Sequence, residues 1–252
     1  MLREALRYPL GPADARGATA EALATGGGLH LFAALVAPLW PLSVFSLVSW
    51  VLLVGYLVRV LGAAGDAADP ATRPTFRRPL ALLRDGLVGS ALSVAVLLVP
   101  VAVLLVTVGG AVSGAAGGGP VDPTTPLGYG VTLVGGTVSL LLAVGVAYPL
   151  PAILAEYGRA DPDAGVRARV GEAVSFGSLR RTVTSGRYFY AWTVGAILLA
   201  FGAALTGAGA RPIRLVGFFG LFYLEVAAAA AWSRGVGAVG GSGGSRGVGG
   251  NR

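Results

Sequence analysis

The chain lacks cysteine and lysine altogether, and it has a single histidine, His30, in 252 residues. Without cysteine there are no disulfides, no thiolate metal sites and no cysteine nucleophiles. A single histidine excludes an HExxH zinc motif and any multi-histidine zinc site, and it leaves His30 as the only histidine around which a Ser-His-Asp triad could form. We therefore expect no cofactor, no metal site and no enzymatic activity.

Charge is also scarce: 12% of the residues are charged, against about 25% in an ordinary soluble domain, while 54% are apolar. The charges are clustered, which leaves uncharged runs at 22–58, 86–121, 123–155, 188–210 and 215–224. Four of these five runs exceed the about 20 residues that a helix needs to cross a bilayer. The sequence therefore predicts an all-α, multi-pass bundle of transmembrane helices in the cell membrane.

The formal net charge is +7, and all 19 basic residues are arginine. In a soluble protein this balance would suggest nucleic acid binding. Here the arginines lie beside the hydrophobic runs, where positive charge orients helices and contacts anionic lipid headgroups. We expect membrane lipids as partners, with a preference for anionic headgroups, and no nucleic acid. The sequence indicates no particular protein partner.

About five spans are predicted within residues 26–234, between an amphipathic amino-terminal segment, 1–25, and a disordered Gly/Ser-rich tail, 235–252. The spans lie at about 42–61, 87–112, 128–155, 190–209 and 215–232. A short apolar piece, 27–38, precedes the first span, and Pro38 and Pro41 interrupt the helix between the two. Two topologies remain open. Either this piece makes no crossing of its own, because it is interfacial, re-entrant or part of one kinked and tilted helix, or it crosses the membrane separately.

The connections between spans differ in arginine content. The loop 62–85 contains four arginines and residues 156–189 contain six, whereas the connection between the second and third spans contains none. By the positive-inside rule, both arginine-rich loops and the carboxy-terminal tail are predicted to be cytoplasmic. Each arginine-rich loop ends in an amphipathic stretch that is predicted to form a helix leading into the next span. Five spans would place Arg3, Arg7 and Arg16 outside, whereas a separate crossing before Pro38 would place them inside.

Two polar residues within the spans are candidates for a functional site. Glu225 lies near the middle of the last predicted span, where a charged acid costs at least about 2.5 kcal/mol. It could serve as a proton or cation site, pair with an arginine such as Arg59, or stay neutral and hydrogen-bond a neighbouring helix. Arg59 lies near the cytoplasmic end of its span, where its side chain is expected to reach the headgroups. Other basic residues expected to face lipid on the cytoplasmic side are Arg73, Arg77, Arg78, Arg84, Arg167, Arg169, Arg180 and Arg181.

Glycine is abundant, at 41 residues, but its runs lack the strand-to-helix context and the following Lys-Ser/Thr of a phosphate-binding loop. In the third predicted span, Gly135, Gly136 and Gly145 are expected to let neighbouring helices approach closely.

Several short motifs occur in a fixed order: LREALRYP at the start, GYLVRVL at 55–61, LLRDGL at 82–87, YPLPAIL at 148–154, FGSLRRTVTSGRYFYAW at 176–192 and LFYLEVAAAA at 221–230. Their order and spacing resemble an archaeal domain-of-unknown-function family of small polytopic membrane proteins, over residues 1 to about 235. The resemblance implies a membrane architecture and supplies no catalytic residues. Glu225 departs from the family's pattern, which usually has an uncharged residue there.

These features favour a non-enzymatic membrane protein that scaffolds or modulates partners or lipids through its arginine-rich cytoplasmic loops. The alternative is a small transporter or channel component that uses Glu225, since Pro38, Pro41 and Pro100 interrupt spans in the manner of helices that line binding sites.

Overall fold

The computed structural model describes residues 1–11, 16–64, 74–105, 125–207 and 211–240. Every regular element in these ranges is a helix, which confirms the predicted all-α fold. The chain begins with α1 (Leu2–Arg7), a 3-10 turn (Tyr8–Leu10), α2 (Arg16–Val36), α3 (Val44–Ala63) and α4 (Pro79–Leu104). It continues with α5 (Pro126–Ala147), α6 (Leu150–Arg159), α7 (Val166–Ala173), α8 (Phe176–Val183), α9 (Gly186–Gly207) and α10 (Arg211–Gly240).

Within the described residues, six helical stretches are long and apolar enough to cross a membrane: Gly17–Val36, Val44–Ala63, Pro79–Val103, Leu133–Arg159, Gly186–Gly207 and Pro212–Val239. The sixth arises in the first hydrophobic region, where a turn at 37–43 contains both Pro38 and Pro41 and separates α2 from α3. This region is therefore two helices, and the first is itself long and apolar enough to cross a membrane, whereas its crossing stays a prediction. The short piece predicted at 27–38 was wrong, because helix-compatible alanines extend α2 back to Arg16. The mean hydropathy of the stretch Gly17–Val36 is only 1.2, whereas that of the other five stretches is 1.7 to 2.3.

The remaining helices extend beyond the apolar runs that predicted them. α4 begins at Pro79, within the predicted amphipathic stretch, and its predicted end at 112 lies outside the described residues. The third predicted span is α5 followed, after a short turn, by α6. α10 continues to Gly240, past the predicted start of the tail at 235, and residues 241–252 lie outside the described part of the chain.

The chain divides into two compact units, one formed by Met1–Ser90 with Pro151–Arg252 and the other by Ala91–Leu150. In the first unit, α10 is the central helix and packs against α1, α2, α3 and α9. It buries Phe222, Val226 and the alanines at 227–231, whose small side chains let the neighbouring helices come close. Ala5 of α1 is fully buried in a cluster with α9 and α10 residues, so the amino-terminal helix is part of this core.

α3 lies unusually close to two neighbours because glycines form both contacts. A Cβ on Gly55 would lie 2.0 Å from the carbonyl oxygen of Leu82 in α4, and one on Gly62 would lie 2.4 Å from the carbonyl oxygen of Gly158 in α6. Small residues allow such backbone contact between apolar helices. No described atom lies within 4 Å of a Cβ at 135, 136 or 145, and the expectation for the glycines of α5 stays a prediction.

Candidate functional sites at the arginine-rich end and inside the first unit

Four helix ends meet in the first unit where α3 finishes, α4 begins, α6 finishes and α7 begins; we call this region the arginine-rich end. The Gly62–Gly158 contact holds the last turns of α3 and α6 together, and the Gly55–Gly86 contact holds α3 against the start of α4. As a result, Arg59 faces the first turns of α4, where the motif LLRDGL supplies an acid.

Asp85 is that acid, and it binds two arginines at once. Arg59 Nε donates to Asp85 Oδ2 over 2.9 Å, and Arg169 Nη1 donates to Asp85 Oδ1 over 3.3 Å. Arg169 Nη2 donates to the carbonyl oxygen of Tyr157 over 3.1 Å, and its guanidinium lies 4.1 Å from the centre of the Tyr157 ring. Asp85 is 8% exposed and Arg169 is 5% exposed, so this is a buried cluster in which two cations share one anion.

Arg159 extends the polar network to α10. Its Nη2 donates to the carbonyl oxygen of Ser233 over 2.8 Å, and its Nη1 lies 3.7 Å from Glu156 Oε1. The Ser233 hydroxyl in turn donates to the carbonyl oxygen of Leu61. Arg159 therefore fixes α6 to α10, and Ser233 fixes α10 to the end of α3.

These side chains border an open cavity of about 920 Å³, which we call the basic cavity. The charged residues among its described lining are six arginines and one acid: Arg59, Arg77, Arg78, Arg84, Arg159, Arg169 and Asp85. Glu21 on α2 lies 3.5 Å from Arg77, whereas neither Arg78 nor Arg84 forms an ion pair with any described residue. Arg169 Nε is buried and has no hydrogen-bond partner in the described ranges. The cavity therefore has the electrostatics of an anion-binding site.

A second polar contact lies between α2 and α10. His30 Nε2 and Glu225 Oε2 are 2.8 Å apart, and their side chains are only 2% and 11% exposed. The ring of Trp50 in α3 meets the His30 ring edge-on, at 5.2 Å between centres, and the Phe222 ring lies 6.2 Å away. The hypothesis that Glu225 pairs with Arg59 was wrong: Glu225 binds His30, and Arg59 binds Asp85.

The predicted basic residues separate into three groups. Arg77, Arg78, Arg84 and Arg169 line the basic cavity, and Arg167, Arg180 and Arg181 are exposed on α7 and α8. Arg73 lies outside the described residues. For Arg169 the expectation of a lipid-facing side chain was wrong, because Asp85 and Tyr157 hold it in the interior.

Sequence reasoning missed Asp85 and Arg159, although a signal was present for Asp85. It is an acid at the start of a long apolar run, directly after an arginine, and such a position needs a partner from another helix. Within the described ranges, no three His, Asp or Glu side chains come together as a metal site would require.

The helices and the cavity together define an all-α bundle whose six apolar helices are consistent with a multi-pass membrane protein. The chain belongs to a family described as a protein of unknown function, DUF4013, whose family model matches residues 39–210. No curated protein and no solved structure matches it.

The family model matches residues 39–210, which is a shorter part of the chain than residues 1 to about 235, over which the sequence motifs resemble an archaeal family. An archaeal origin stays a prediction. Every described residue that lines the basic cavity lies within 39–210, whereas His30 and Glu225 lie outside this range. The cavity is therefore a property of the family domain in this chain, and the His30–Glu225 contact joins two flanking helices.

Proposed function

We propose that this protein is a non-enzymatic membrane protein that binds anionic headgroups in the basic cavity and so modulates lipids or partners at its arginine-rich end. One observation carries the proposal: six arginines and one acid line a cavity of about 920 Å³. Arginine is the residue best suited to phosphate oxygens, since its planar guanidinium donates two parallel hydrogen bonds.

The same end of the molecule has a second basic surface on α7 and α8. Arg167, Arg180 and Arg181 are exposed there, and Phe176, at the start of α8, is 79% exposed. An apolar ring beside arginines suits a short helix lying among headgroups. This surface supports the proposal that the arginine-rich loops contact lipid.

We further propose that this end faces the cytoplasm of a cell in whose membrane all six apolar helices cross. Six crossings would place the start of α2, both arginine-rich loops and the end of α10 on one side, as the positive-inside rule favours. The Arg77–Glu21 contact supports this arrangement, because it joins the start of α2 to the loop that precedes α4.

The test uses the full chain in neutral detergent, titrated with a short-chain phosphatidylglycerol and followed by native mass spectrometry and thermal unfolding. We expect bound lipid and a raised Tm, because a ligand that binds only the folded state stabilises it. The Arg78→Gln/Arg84→Gln variant should lose most of this binding. The Arg3→Gln/Arg7→Gln variant removes the same charge from two exposed residues outside both the cavity and the basic surface of α7 and α8, and it should retain the binding. Equal loss in both variants would show that charge alone, and not the cavity, binds the lipid.

A second candidate function, a small transporter or channel component, draws its support from the His30–Glu225 contact. Acid and imidazole groups buried among apolar helices are typical of proton pathways. The test is proton flux in proteoliposomes loaded with a pH-sensitive dye. Flux that Glu225→Gln abolishes would favour this function, and flux equal to that of protein-free liposomes would remove it.

A further inference from the structure

The charge balance of the basic cavity specifies its ligand more closely than "anionic". We propose that the cavity takes a phosphate group with two or more negative charges, a phosphomonoester or a diphosphate, in preference to a phosphodiester. This inference rests on the proposed function, since it names the ligand class of the same cavity.

The first argument is the number of arginine charges that have no matching acid among the described residues. Arg77 has Glu21 and Arg159 has Glu156, so these two are compensated. Arg59 and Arg169 share the single carboxylate of Asp85, which leaves one positive charge over.

Arg78 and Arg84 have no ion pair with a described residue, so they add two more positive charges. A phosphodiester supplies one negative charge, whereas a phosphomonoester supplies about 1.5 to 2 at pH 7. The monoester and the diphosphate therefore match the cavity, and the diester leaves much of its charge uncompensated.

The second argument is a buried donor that lacks an acceptor. Arg169 is only 5% exposed, and its two terminal nitrogens bind Asp85 and the Tyr157 carbonyl. Its Nε is buried without a partner among the described residues, and Arg169 borders the cavity. Buried donors are almost always paired in folded proteins, and because this nitrogen is closed to solvent, a ligand oxygen reaches it only when the surrounding side chains shift.

The third argument is the helix end beside these arginines. α4 is a 26-residue helix that begins at Pro79, so the amides of Leu80 and Ala81 have no acceptor within the helix. Ala81 and the neighbouring Arg78 both line the cavity. The positive end of the helix dipole therefore adds to the arginines that would bind a phosphate.

Such a phosphate group could belong to a lipid or to a soluble compound, and the experiment separates these two sources. The full chain in neutral detergent is titrated at pH 8 with short-chain phosphatidic acid, a monoester, with phosphatidylglycerol, a diester of similar size, or with pyrophosphate. Binding is measured by native mass spectrometry and by the rise in Tm.

We expect phosphatidic acid, pyrophosphate or both to bind at least about tenfold more tightly than phosphatidylglycerol, a ratio that one additional charge-assisted hydrogen bond would produce. The preference should disappear in the cavity variant Arg78→Gln/Arg84→Gln and persist in Arg3→Gln/Arg7→Gln. Both target arginines are exposed, and the single variants Arg78→Gln and Arg84→Gln provide a milder test if the double variant does not fold.

Each other outcome has a definite meaning. Equal binding of both lipids, lost in the cavity variant, overturns the phosphomonoester inference and leaves the proposed function standing. Tight binding of pyrophosphate without either lipid supports the phosphate class but overturns lipid binding. A preference for phosphatidic acid that survives Arg78→Gln/Arg84→Gln places the selectivity elsewhere and overturns the inference. No binding of any ligand overturns both proposals.

Discussion

Replacing Gly86 by alanine should destabilise the protein, although alanine is the better helix former. A Cβ on Gly86 would lie 1.9 Å from the carbonyl oxygen of Val51, whereas ordinary contact begins at 3.4 Å. The reciprocal contact is equally tight, since a Cβ on Gly55 would lie 2.0 Å from the carbonyl oxygen of Leu82. Because both obstructing atoms belong to backbone, no side-chain rotation can relieve the clash, and α3 and α4 must move apart.

The size of the effect follows from two opposing terms. Inserting a methyl group into a close-packed contact costs about 1–3 kcal/mol, and a backbone obstruction places this case at the upper end. The higher helix propensity of alanine offsets about 1 kcal/mol. The net loss is therefore about 1–2 kcal/mol, which corresponds to a Tm lowered by about 2–8 °C for a chain of this length. Asp85 precedes Gly86, so ligand binding in the basic cavity should weaken as well.

Thermal unfolding in nanodiscs measures this effect, and α5 offers a matched control. Gly135 is also a helical glycine within an apolar stretch, but no described atom lies within 4 Å of its Cβ position. Gly135→Ala should therefore leave the Tm unchanged or raise it slightly. If Gly86→Ala unfolded at or above the wild-type Tm, or if Gly135→Ala lost as much stability, the close contact between α3 and α4 would be refuted.

Three further predictions concern the buried pairs and the topology. Asp85→Asn leaves the buried Arg169 and the half-buried Arg59 without their anion and should cost about 3–5 kcal/mol in chemical unfolding. A double-mutant cycle of His30→Gln and Glu225→Gln should give a coupling free energy of about 0.5–3 kcal/mol, because the two side chains are 2.8 Å apart. Since the chain has no native cysteine, Leu39→Cys in the turn between α2 and α3 should react with an impermeant maleimide from outside intact cells, and Thr75→Cys should react only after lysis.

Each of these has a control or a contrary result. Asp161 is exposed, so Asp161→Asn should change stability by less than about 0.5 kcal/mol, and an equal loss at both positions would contradict the role of Asp85. A coupling free energy near zero would mean that the His30–Glu225 contact does not stabilise the fold. Labelling of Thr75→Cys in intact cells would reverse the proposed orientation.

The helical fold could be predicted because its signal is local. Long uncharged runs with few polar residues leave no other structure that satisfies the backbone inside a bilayer. α2 was harder to predict because its first half, RGATAEALATGGG, consists largely of small and polar residues. As a result, the stretch Gly17–Val36 reaches a mean hydropathy of only 1.2. Its place in the fold depends on α10, since Phe222 and Phe219 pack where Gly26 and Gly27 lack side chains. That information is tertiary and lies almost 200 residues away in the sequence.

The pairing of the buried charged residues also depends on tertiary structure. Here the deciding quantity is the depth of each residue, measured from the end of its helix. Arg59 lies four residues before the end of α3 at Ala63, and Asp85 lies six residues after the start of α4 at Pro79. His30 lies 13 residues after Gly17, and Glu225 lies 14 residues before Val239.

If successive crossings alternate in direction, the two residues of the Arg59–Asp85 pair lie at nearly equal distances from the arginine-rich end of the molecule. The same holds for the His30–Glu225 pair. Arg59 and Glu225 differ by about ten residues on this scale, which corresponds to about 15 Å along a helix. A buried acid between apolar helices must find its partner at its own depth. With the observed helix bounds, matching residues by depth therefore accounts for both pairs and excludes the Arg59–Glu225 pair, whereas the predicted bounds would not have done so.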